Sequence, residues 1–305
     1  DHLIRDIALA GMGGILLGAA LVFLWEYLND KIRTPQDVQE TLDIHTLGMI
    51  SRLTKGEEEL VLKAKPQSYV AETFRMLGNS IQFSKQNASI KTLLITSPSG
   101  LEGKSYITAN LAVALANAGK RVVIIDADLH RPRQHILFGL KQGMGLYESL
   151  SKGTSDGRLK STRIANLQLL TCGRIPKRPV HQIDSPQFSA LLEEISQNTN
   201  YVLVDSPPVI PVADASLLAP FVDGVLMVIR AERTTRQNAR HALNSLQRVN
   251  ANMIGVVLND VEVIKHSYSS YYVNKQEKRT KKIIAKKWSS KKSPQADTLN
   301  QETQI

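Results

Sequence analysis

Short runs of apolar residues recur along the chain, and polar or helical stretches separate each run from the next. Most of these runs lack polar alternation, as strands covered on both faces require. They predict strands over residues 91–96, 121–125, 167–170, 201–204, 224–229 and 253–258. Apolar positions at helical spacing predict helices over residues 68–85, 105–118, 186–197 and 234–249. Strands that alternate with helices in this way predict an α/β fold built on a doubly wound, mostly parallel sheet.

A different pattern opens the chain, where residues 7–25 run for nineteen positions without a charge. As a helix this run is about 28 Å long, close to the roughly 30 Å hydrocarbon layer of a membrane. A secretory signal would be followed by a cleavage site and an exported domain, whereas charged, cytosol-like sequence follows here. We therefore predict a transmembrane helix over residues 7–28, with a buried core helix as the alternative. Lys31 and Arg33 place its C-terminal side in the cytoplasm.

The two patterns together predict five segments along the chain. Residues 1–6 are expected to form an extracytoplasmic stub of a longer chain, and residues 7–28 the transmembrane helix. Residues 29–66 are expected to form a cytoplasmic connector, in which the pattern leaves the structure of an apolar patch, HTLGMI, open. Residues 67–262 form the predicted α/β domain, and residues 263–305 a flexible tail rich in tyrosine and lysine.

The basic character of the chain is concentrated in the predicted tail. The whole sequence has 38 basic and 28 acidic side chains and a formal charge of +10. Residues 275–292 alone hold eight lysines and one arginine against Glu277, so this stretch supplies a net charge of +8. The rest of the chain is nearly neutral, which argues against a nucleic-acid partner and favours a membrane surface near the tail. The single cysteine, Cys172, excludes an internal disulfide and a cysteine-rich metal site.

The sequence SPSGLEGKSY, residues 97–106, stands between the first predicted strand and the helix that follows it. The backbone N–H groups of such a turn and the positive end of the helix dipole point at a bound phosphate. Lys104 can reach the outer phosphates of a nucleoside triphosphate, and the Ser105 hydroxyl can bind Mg²⁺. The first glycine of the usual G-x-x-x-x-G-K-[ST] pattern falls on Pro98, so an ordinary tight turn is the alternative. The residues of this loop predicted to bind the nucleotide are Gly100, Glu102, Gly103, Lys104, Ser105 and Tyr106.

Acidic residues follow two further strands, at the edge of the sheet where ligands of such folds bind. Asp126 and Asp128 come directly after one strand, and Asp205 follows another. Two carboxylates near one triphosphate suit Mg²⁺ binding and acceptance of a proton from an attacking hydroxyl. The alternative is that these side chains cap turns or helices. Asn259 follows another strand and is predicted either to contact the adenine edge of the nucleotide or to form a turn.

In combination these motifs resemble the BY-kinases, which are bacterial tyrosine kinases attached to polysaccharide chain-length regulators. Residues 100–105 resemble the family's Walker A motif, residues 126–128 its Walker A′ motif, and Asp205 with Pro208 its Walker B motif. The catalytic residues that follow from the motifs and the resemblance are Lys104, Asp126, Asp128 and Asp205. The corresponding metal ligands are Ser105, Asp126 and Asp205.

The resemblance covers residues 34–272, and the preceding span looks like the last membrane helix of the regulator. Tyr268, Tyr271 and Tyr272 are similar to the tyrosines of the family's autophosphorylated tail. The resemblance implies an autokinase, dependent on ATP and Mg²⁺, that regulates exopolysaccharide or capsule synthesis and export. It places the chain in the inner (cell) membrane with the kinase domain in the cytoplasm. The partners it implies are further copies of the chain, the membrane, the polysaccharide export or polymerisation machinery and a phosphotyrosine phosphatase.

Departures from the family's pattern affect three motifs. Leu101 stands where the family has a glycine, at a point where the turn favours a positive φ angle. The family's Walker A′ pattern is Asp-x-Asp-x-Arg, whereas here His130 stands at the position of the arginine and Arg131 follows it. Gly78 replaces the last arginine of the family's Glu-x-x-Arg-x-x-Arg subunit-contact pattern, which begins here at Glu72.

Two other functions therefore remain open. One is a catalytically weak or inactive pseudokinase that acts as a scaffold of the polysaccharide export machinery. The other is a switch ATPase of the division-site or partitioning type, which shares this sheet and the paired motifs. Those ATPases carry an extra lysine early in the phosphate loop, at the position that Ser99 occupies here.

Overall fold

The computed structural model describes residues 2–28, 30–53, 60–83, 90–150, 154–155, 157–174 and 186–262. The chain divides into two units between Val261 and Glu262, and the fold described below belongs to the first unit. The predicted tail, residues 263–305, with its tyrosine cluster and its lysine run, lies outside the described residues.

The described elements alternate between helix and strand through most of the chain. The helices are α1 (His2–Leu28), α2 (Pro35–Leu42), α3 (Val61–Ala64), α4 (Tyr69–Phe83), α5 (Lys104–Asn117), α6 (Gln134–Leu137), α7 (Leu146–Leu150), α8 (Pro186–Gln197), α9 (Asp214–Leu218) and α10 (Arg236–Arg248), with a 3₁₀ turn at Ala219–Phe221. The strands are β1 (Thr46–Ser51), β2 (Thr92–Thr96), β3 (Val122–Asp126), β4 (Lys160–Ser161), β5 (Leu167–Leu170), β6 (Tyr201–Asp205), β7 (Gly224–Arg230) and β8 (Met253–Val261).

The strands form one sheet in the order β1-β8-β7-β2-β6-β3-β5-β4. Every neighbouring pair is parallel except β4 with β5. The six predicted strands are all present, so the α/β class and the mostly parallel sheet are confirmed. The two-residue strand β4 and the strand β1 were not predicted.

Helices cover both faces of the sheet, and side chains of each strand alternate between the faces. In β2, Leu93 and Ile95 pack with α4 and α5 on one face. Leu94 of the same strand packs with α2, α8, α9 and α10 on the other face. All residues of β2, β3 and β6 are buried, which explains why their sequences lack polar alternation.

The segment predicted as a connector, residues 29–66, contributes both a helix and a strand to this fold. Its apolar patch forms β1, which pairs in parallel with β8 at the edge of the sheet. α2 precedes β1 and begins with a capping box, in which the Thr34 and Asp37 side chains each accept a hydrogen bond from the other's backbone N–H. The sequence of this six-residue patch does not indicate which strand it pairs with. Its partner, β8, lies far along the chain, so the pairing is known only from the folded sheet.

The first helix, α1, begins at His2, earlier than the predicted start at residue 7, so residues 2–6 of the predicted stub belong to the same helix. The stretch His2–Val22 has a mean hydropathy of 1.6, and large apolar side chains such as Leu16 are exposed along it. By length and composition this helix can cross a membrane. The crossing itself stays a prediction.

Truncation of a buried side chain at the centre of the sheet tests this packing. Leu203 lies in β6 and is fully buried, and we expect Leu203→Ala to lower the free energy of unfolding by about 2–5 kcal/mol because it leaves a cavity. Met76 on α4 is 60% exposed, so Met76→Ala is the control and should change this free energy by about 0.5 kcal/mol or less. Chemical denaturation followed by circular dichroism measures both, and equal losses for the two variants would contradict the placement of β6.

Candidate active site

The phosphate loop, residues 97–103, connects the carboxyl end of β2 to the first residue of α5. β2 lies between β6 and β7, in the middle of the sheet. Gly103 has a φ of +94° and caps α5, so the helix begins at Lys104 with its N-terminus directed at the loop. A β-carbon at Gly103 would lie 2.2 Å from the Asn259 amide nitrogen, so only glycine fits there.

Leu101 has a φ of +64°, as the glycine at this position in the family suggested. Its side chain is 62% exposed, so the leucine is accommodated by pointing into solvent. The backbone conformation nevertheless carries the steric penalty of a β-carbon in the left-handed region. The turn predicted from the sequence therefore forms with leucine in place of glycine.

A cavity of about 610 Å³ opens in front of the loop, in the size range of sites for small ligands and cofactors. Lys104, Ser105 and Tyr106 line it from α5, and Pro207 and Pro208 line it from the segment after β6. The basic side chains along its wall are Lys104, His130, Arg131, Arg133, Arg230 and Arg233. This concentration of positive charge suits a ligand with several phosphate groups.

Asp126 and Asp205 end the neighbouring strands β3 and β6 and lie directly opposite each other in the parallel register. Both are fully buried. Gln134, at the start of α6, bridges them: its backbone N–H donates to Asp126 Oδ2 at 3.0 Å and its Nε2 to Asp205 Oδ2 at 2.7 Å. The same Nε2 donates to the Ser105 carbonyl at 3.1 Å, so Gln134 ties both carboxylates to the start of α5.

Burial dominates the electrostatics of this carboxylate pair. Burial, and then the charge of Asp205, raise the pKa of Asp126 well above its usual value. Burial also raises the pKa of Asp205 to about 6, although Lys104 and hydrogen bonds from Gln134 and Ser105 act in the opposite direction. Two negative charges at this position are therefore unfavourable unless a cation lies beside them.

Three buried oxygens of this group have no hydrogen-bond donor among the described residues: Asp126 Oδ1, Asp205 Oδ1 and Gln134 Oε1. Ser105, at the start of α5, acts on Asp205 as well, because its side chain lowers the pKa of that carboxyl group. Mg²⁺ prefers oxygen ligands and usually binds one or two carboxylates together with phosphate oxygens. The residues present therefore fit the predicted magnesium ion.

Asp128 is placed differently from the other two aspartates. It lines the cavity, and its Oδ1 accepts hydrogen bonds from the backbone N–H groups of His130 at 3.2 Å and Arg131 at 2.9 Å. Asp128 thus forms the turn after β3 and also faces the ligand space. His130, where the family has an arginine, lies 3.1 Å through Nε2 from Oδ2 of the buried Asp214.

Two residues predicted to bind the nucleotide have side chains that do not face the cavity. Glu102 and Asn259 are buried, and neither lines the cavity. Glu102 Oε1 accepts a hydrogen bond from the Thr234 hydroxyl at 2.8 Å, and burial raises the pKa of Glu102 to about 7. Asn259 Nδ2 donates to the Glu102 carbonyl at 2.8 Å. In the described structure both side chains support the loop, and their contact with nucleotide stays a prediction.

The structure thus brings Lys104, Ser105, Asp126, Asp128 and Asp205 together at one edge of the sheet, as predicted. Two residues that bond the carboxylates or the phosphate loop were not predicted from the sequence. Gln134 belongs to no motif and approaches the carboxylates only because the chain turns back after β3. Arg230, at the end of β7, donates from Nη1 to the Leu101 carbonyl at 3.1 Å, which no local pattern indicates.

Comparison with protein families identifies the domain. A ParA family model, described as the NUBPL iron-transfer P-loop NTPase, matches residues 89–292. CapB of Staphylococcus aureus, named as a tyrosine-protein kinase, is 36% identical over 214 residues, which are 70% of this chain and 94% of CapB. The tyrosine-protein kinase YwqD of Bacillus subtilis is 32% identical over 74% of this chain and 95% of YwqD. The chain belongs to the bacterial tyrosine-protein kinases. It is a P-loop enzyme that binds a nucleotide and phosphorylates tyrosine.

Solved structures agree with this assignment. The chimeric protein CapA2B2 has a TM-score of 0.70 and 34% identity over 75% of the kinase chain and all of the chimera. The BceF tyrosine kinase domain has a TM-score of 0.68 and 26% identity over 76% of the kinase chain and 99% of that domain. The iron transfer named for the P-loop model is not carried over, because iron–sulfur clusters are held by several cysteines and this kinase has one.

Some relatives are much longer than the kinase chain. EpsB of Ralstonia solanacearum is 31% identical over 87% of the kinase chain, but the match spans only 37% of EpsB. The match to wzc of Salmonella typhi, at 28% identity, covers 87% of the kinase chain but only 40% of wzc. What the longer proteins do as wholes therefore enters only as a proposal.

The kinase also differs from the family's subunit-contact pattern on α4. Arg75 donates to Glu72 within the same helix at 2.6 Å, so these two predicted contact residues pair with each other. Gly78 is buried against α5, where an added β-carbon would lie 3.6 Å from Leu115. Oligomer formation through this helix stays a prediction.

The buried carboxylates of the kinase predict an unusual pH dependence of stability. Because the pKa of Asp205 is higher in the folded than in the unfolded chain, folding favours its protonated form, and its contribution to stability declines as the pH rises from about 4 to about 6. The asparagine side chain of Asp205→Asn does not titrate. The free energy of unfolding of this variant, relative to that of the native kinase, should therefore rise over this pH range by on the order of 1–3 kcal/mol.

Denaturation of the nucleotide-free kinase from pH 4 to pH 8 measures this difference. Glu40→Gln, at a carboxylate that is 70% exposed, controls for the loss of one negative charge. A difference between Asp205→Asn and the native kinase that is constant with pH would contradict the burial of this charge.

Proposed function

We propose that the chain transfers the γ-phosphoryl group of MgATP to tyrosines of its own C-terminal tail and thereby regulates exopolysaccharide or capsule synthesis and export. The observation that carries this proposal is the carboxylate pair Asp126 and Asp205, buried in register beside the phosphate loop. Two of its oxygens have no donor within the described part of the chain. Such a pair suits a metal–triphosphate complex and has no evident role in folding, since its burial is unfavourable.

Each residue of the site has a proposed task. The backbone of the phosphate loop and Lys104 hold the outer phosphates, and Lys104 balances negative charge that develops during transfer. Ser105, Asp126 and Asp205 would hold Mg²⁺, and the ion would neutralise charge on the phosphates when bound. The basic side chains on the cavity wall, among them Arg131 and Arg133, add to this positive field.

Acceptance of the tyrosine proton falls to the aspartates after β3. A tyrosine hydroxyl has a pKa of about 10 in water, so it needs a base or a metal neighbour to react at pH 7. Asp126 is proposed to assist this step together with its role in metal binding. Asp128 lines the cavity and is proposed for the same task.

The assembly and location of the kinase are also proposals. Tyr268, Tyr271 and Tyr272 are the proposed phosphorylated residues, and the active site of another copy in a homo-oligomer is expected to receive them. The apolar helix α1 supports a position in the inner (cell) membrane with the kinase domain in the cytoplasm. The chimera named CapA2B2 supports a partner protein for the family. The proposed partners are the polysaccharide export or polymerisation machinery and a phosphatase that removes the phosphate.

Removal of the loop lysine tests the proposed activity. We expect Lys104→Met to abolish phosphotyrosine formation on the full chain, because a positive charge is lost beside the transferred phosphoryl group. Lys63→Met, at an exposed lysine on α3, is the control and should retain activity. The measurement is incubation with ATP and Mg²⁺ followed by mapping of phosphotyrosine by mass spectrometry, with phosphate release measured in parallel.

The same experiment separates the alternative functions. Phosphate release without phosphotyrosine would indicate a switch ATPase. Neither product from the native chain would indicate a pseudokinase scaffold, and unchanged phosphotyrosine in Lys104→Met would remove the lysine from the mechanism.

The charge of the tail predicts a further effect of phosphorylation. Each basic residue near an anionic membrane contributes about 1 kcal/mol of attraction, and three phosphotyrosines add roughly −5 to −6 charges. We therefore expect a peptide of residues 263–305 to bind anionic liposomes and to bind them much more weakly when Tyr268, Tyr271 and Tyr272 are phosphorylated. Co-sedimentation measures this, with neutral liposomes as the control. Equal binding of both peptides to anionic liposomes would rule out this effect.

A further inference from the structure

The phosphate loop of this chain contains two residues with left-handed backbone, Leu101 with a φ of +64° and Gly103 with a φ of +94°. Glycine adopts this conformation freely, but leucine does so at a cost because of its β-carbon. The Leu101 side chain is 62% exposed and so gains little from packing. Contacts elsewhere must therefore hold the loop in the shape that a phosphate group requires.

The side chain of Glu102, between these two residues, points away from the cavity and is 2% exposed. Its Oε1 accepts a hydrogen bond of 2.8 Å from the hydroxyl of Thr234, which is also 2% exposed. A buried carboxyl group that lost its hydrogen-bond partner would be destabilised, because an unpaired polar group is costly to bury.

Thr234 is itself held firmly, in the loop between β7 and α10. Its backbone N–H donates to the Arg230 carbonyl at 3.0 Å, and its hydroxyl oxygen accepts from the Arg230 N–H at 3.0 Å. Its carbonyl accepts from the backbone N–H of Ile32, in the segment that follows α1, at 3.0 Å. These three hydrogen bonds restrict the position of Thr234, so its hydroxyl can in turn restrict the Glu102 side chain.

We propose that Glu102 and Thr234 are positioning residues that hold the phosphate loop in its nucleotide-binding shape and offset the left-handed backbone of Leu101. Neither residue lines the cavity, so both act through the loop backbone. Arg230 and Asn259 bond the carbonyls of Leu101 and Glu102, whereas the Thr234 hydroxyl bonds the Glu102 side chain from outside the loop. This inference rests on the proposed nucleotide site.

The first test is the equilibrium dissociation constant of ADP with Mg²⁺, measured on the full chain in detergent micelles. Thr234→Val keeps the shape but removes the hydroxyl, and we expect it to weaken ADP binding by about tenfold, as the loss of one such hydrogen bond implies. Thr234→Ser restores the hydroxyl and should bind within about twofold of the native chain. Thr199→Val is the matched control, because Thr199 donates a similar bond to the Ile195 carbonyl in a different part of the fold.

The Thr234 hydroxyl also accepts a hydrogen bond from the Arg230 N–H, which Thr234→Val removes as well. Variants of Glu102 test the Glu102–Thr234 bond separately. Glu102→Gln retains an oxygen that can accept from Thr234 and should bind ADP nearly as the native chain does. Glu102→Leu should weaken binding as much as Thr234→Val, and the double variant should be no weaker than either single one. Effects that add in the double variant would overturn the proposal that the two residues act as a pair.

Leu101→Gly tests the link to the backbone conformation. Glycine removes the penalty at this position, so it should improve ADP binding more in the Thr234→Val variant than in the native chain. An equal change in both backgrounds would show that the pair does not offset Leu101.

Hydrogen exchange of the loop amides in the nucleotide-free chain provides a second readout that needs neither ligand nor phosphoryl transfer. Exchange at residues 99–103 should be faster in Thr234→Val and native-like in Thr234→Ser. The proposed kinase activity can fail while this result stands, so the two failures are distinguishable. The inference is overturned if Thr234→Val matches Thr199→Val in loop exchange, or if it matches that control in ADP affinity where the native chain binds ADP.

Discussion

The burial of two carboxylates at adjacent strand ends is the constraint on which the rest of the site depends. Asp126 and Asp205 are opposite each other in the β3–β6 register, and both are inaccessible to solvent. Charged groups in such a position are costly unless they are paired and hydrogen-bonded. Gln134, Lys104 and Ser105 meet part of this requirement from neighbouring elements. In the proposed function, Mg²⁺ would supply the remainder, so an arrangement that is unfavourable for folding would serve as a binding site.

The strand order explains why these carboxylates meet the phosphate loop. β2 pairs directly with β6, and β6 pairs directly with β3, so all three strands end at the same edge of the sheet. The loop after β2 then turns over the ends of its neighbours as α5 begins. Asp128 lies two residues beyond β3 and lines the cavity, although it is only 5% exposed. Three aspartates of similar sequence context thus acquire different environments through small differences in position.

Support for the loop comes from the other half of the sheet. Arg230 and Asn259, at the ends of β7 and β8, bond successive carbonyls of the loop, and Thr234 bonds the Glu102 side chain. Asp260 connects this region to the segment after β1, because it pairs with both Arg230 and Arg52. Residues at or just after the ends of β7 and β8 therefore bond the phosphate loop, in addition to Val209 and Ile210 after β6, whose N–H groups donate to the Ser97 and Pro98 carbonyls.

Much of this architecture could be predicted from the sequence, because it depends on local pattern. The buried strands appear as unbroken apolar runs, and the motif around Lys104 has a shape fixed by a strand, a turn and a helix in succession. The positive φ of Leu101 was likewise expected, because the family that the motif resembles has a glycine at this position. The aspartates after β3 and β6 could be placed at one edge for the same reason, since parallel strands share the direction of their ends.

The tertiary structure decided what depends on residues distant along the chain. The sequence of the patch that forms β1 does not identify β8 as its partner strand. Gln134 belongs to no sequence motif, and only the fold places it beside the carboxylates. Glu102 could be assigned to the nucleotide from its place in the loop, but its side chain turns toward Thr234, a choice made by packing. Hydrogen bonds between distant segments depend on where the fold places both partners, and no local propensity encodes that position.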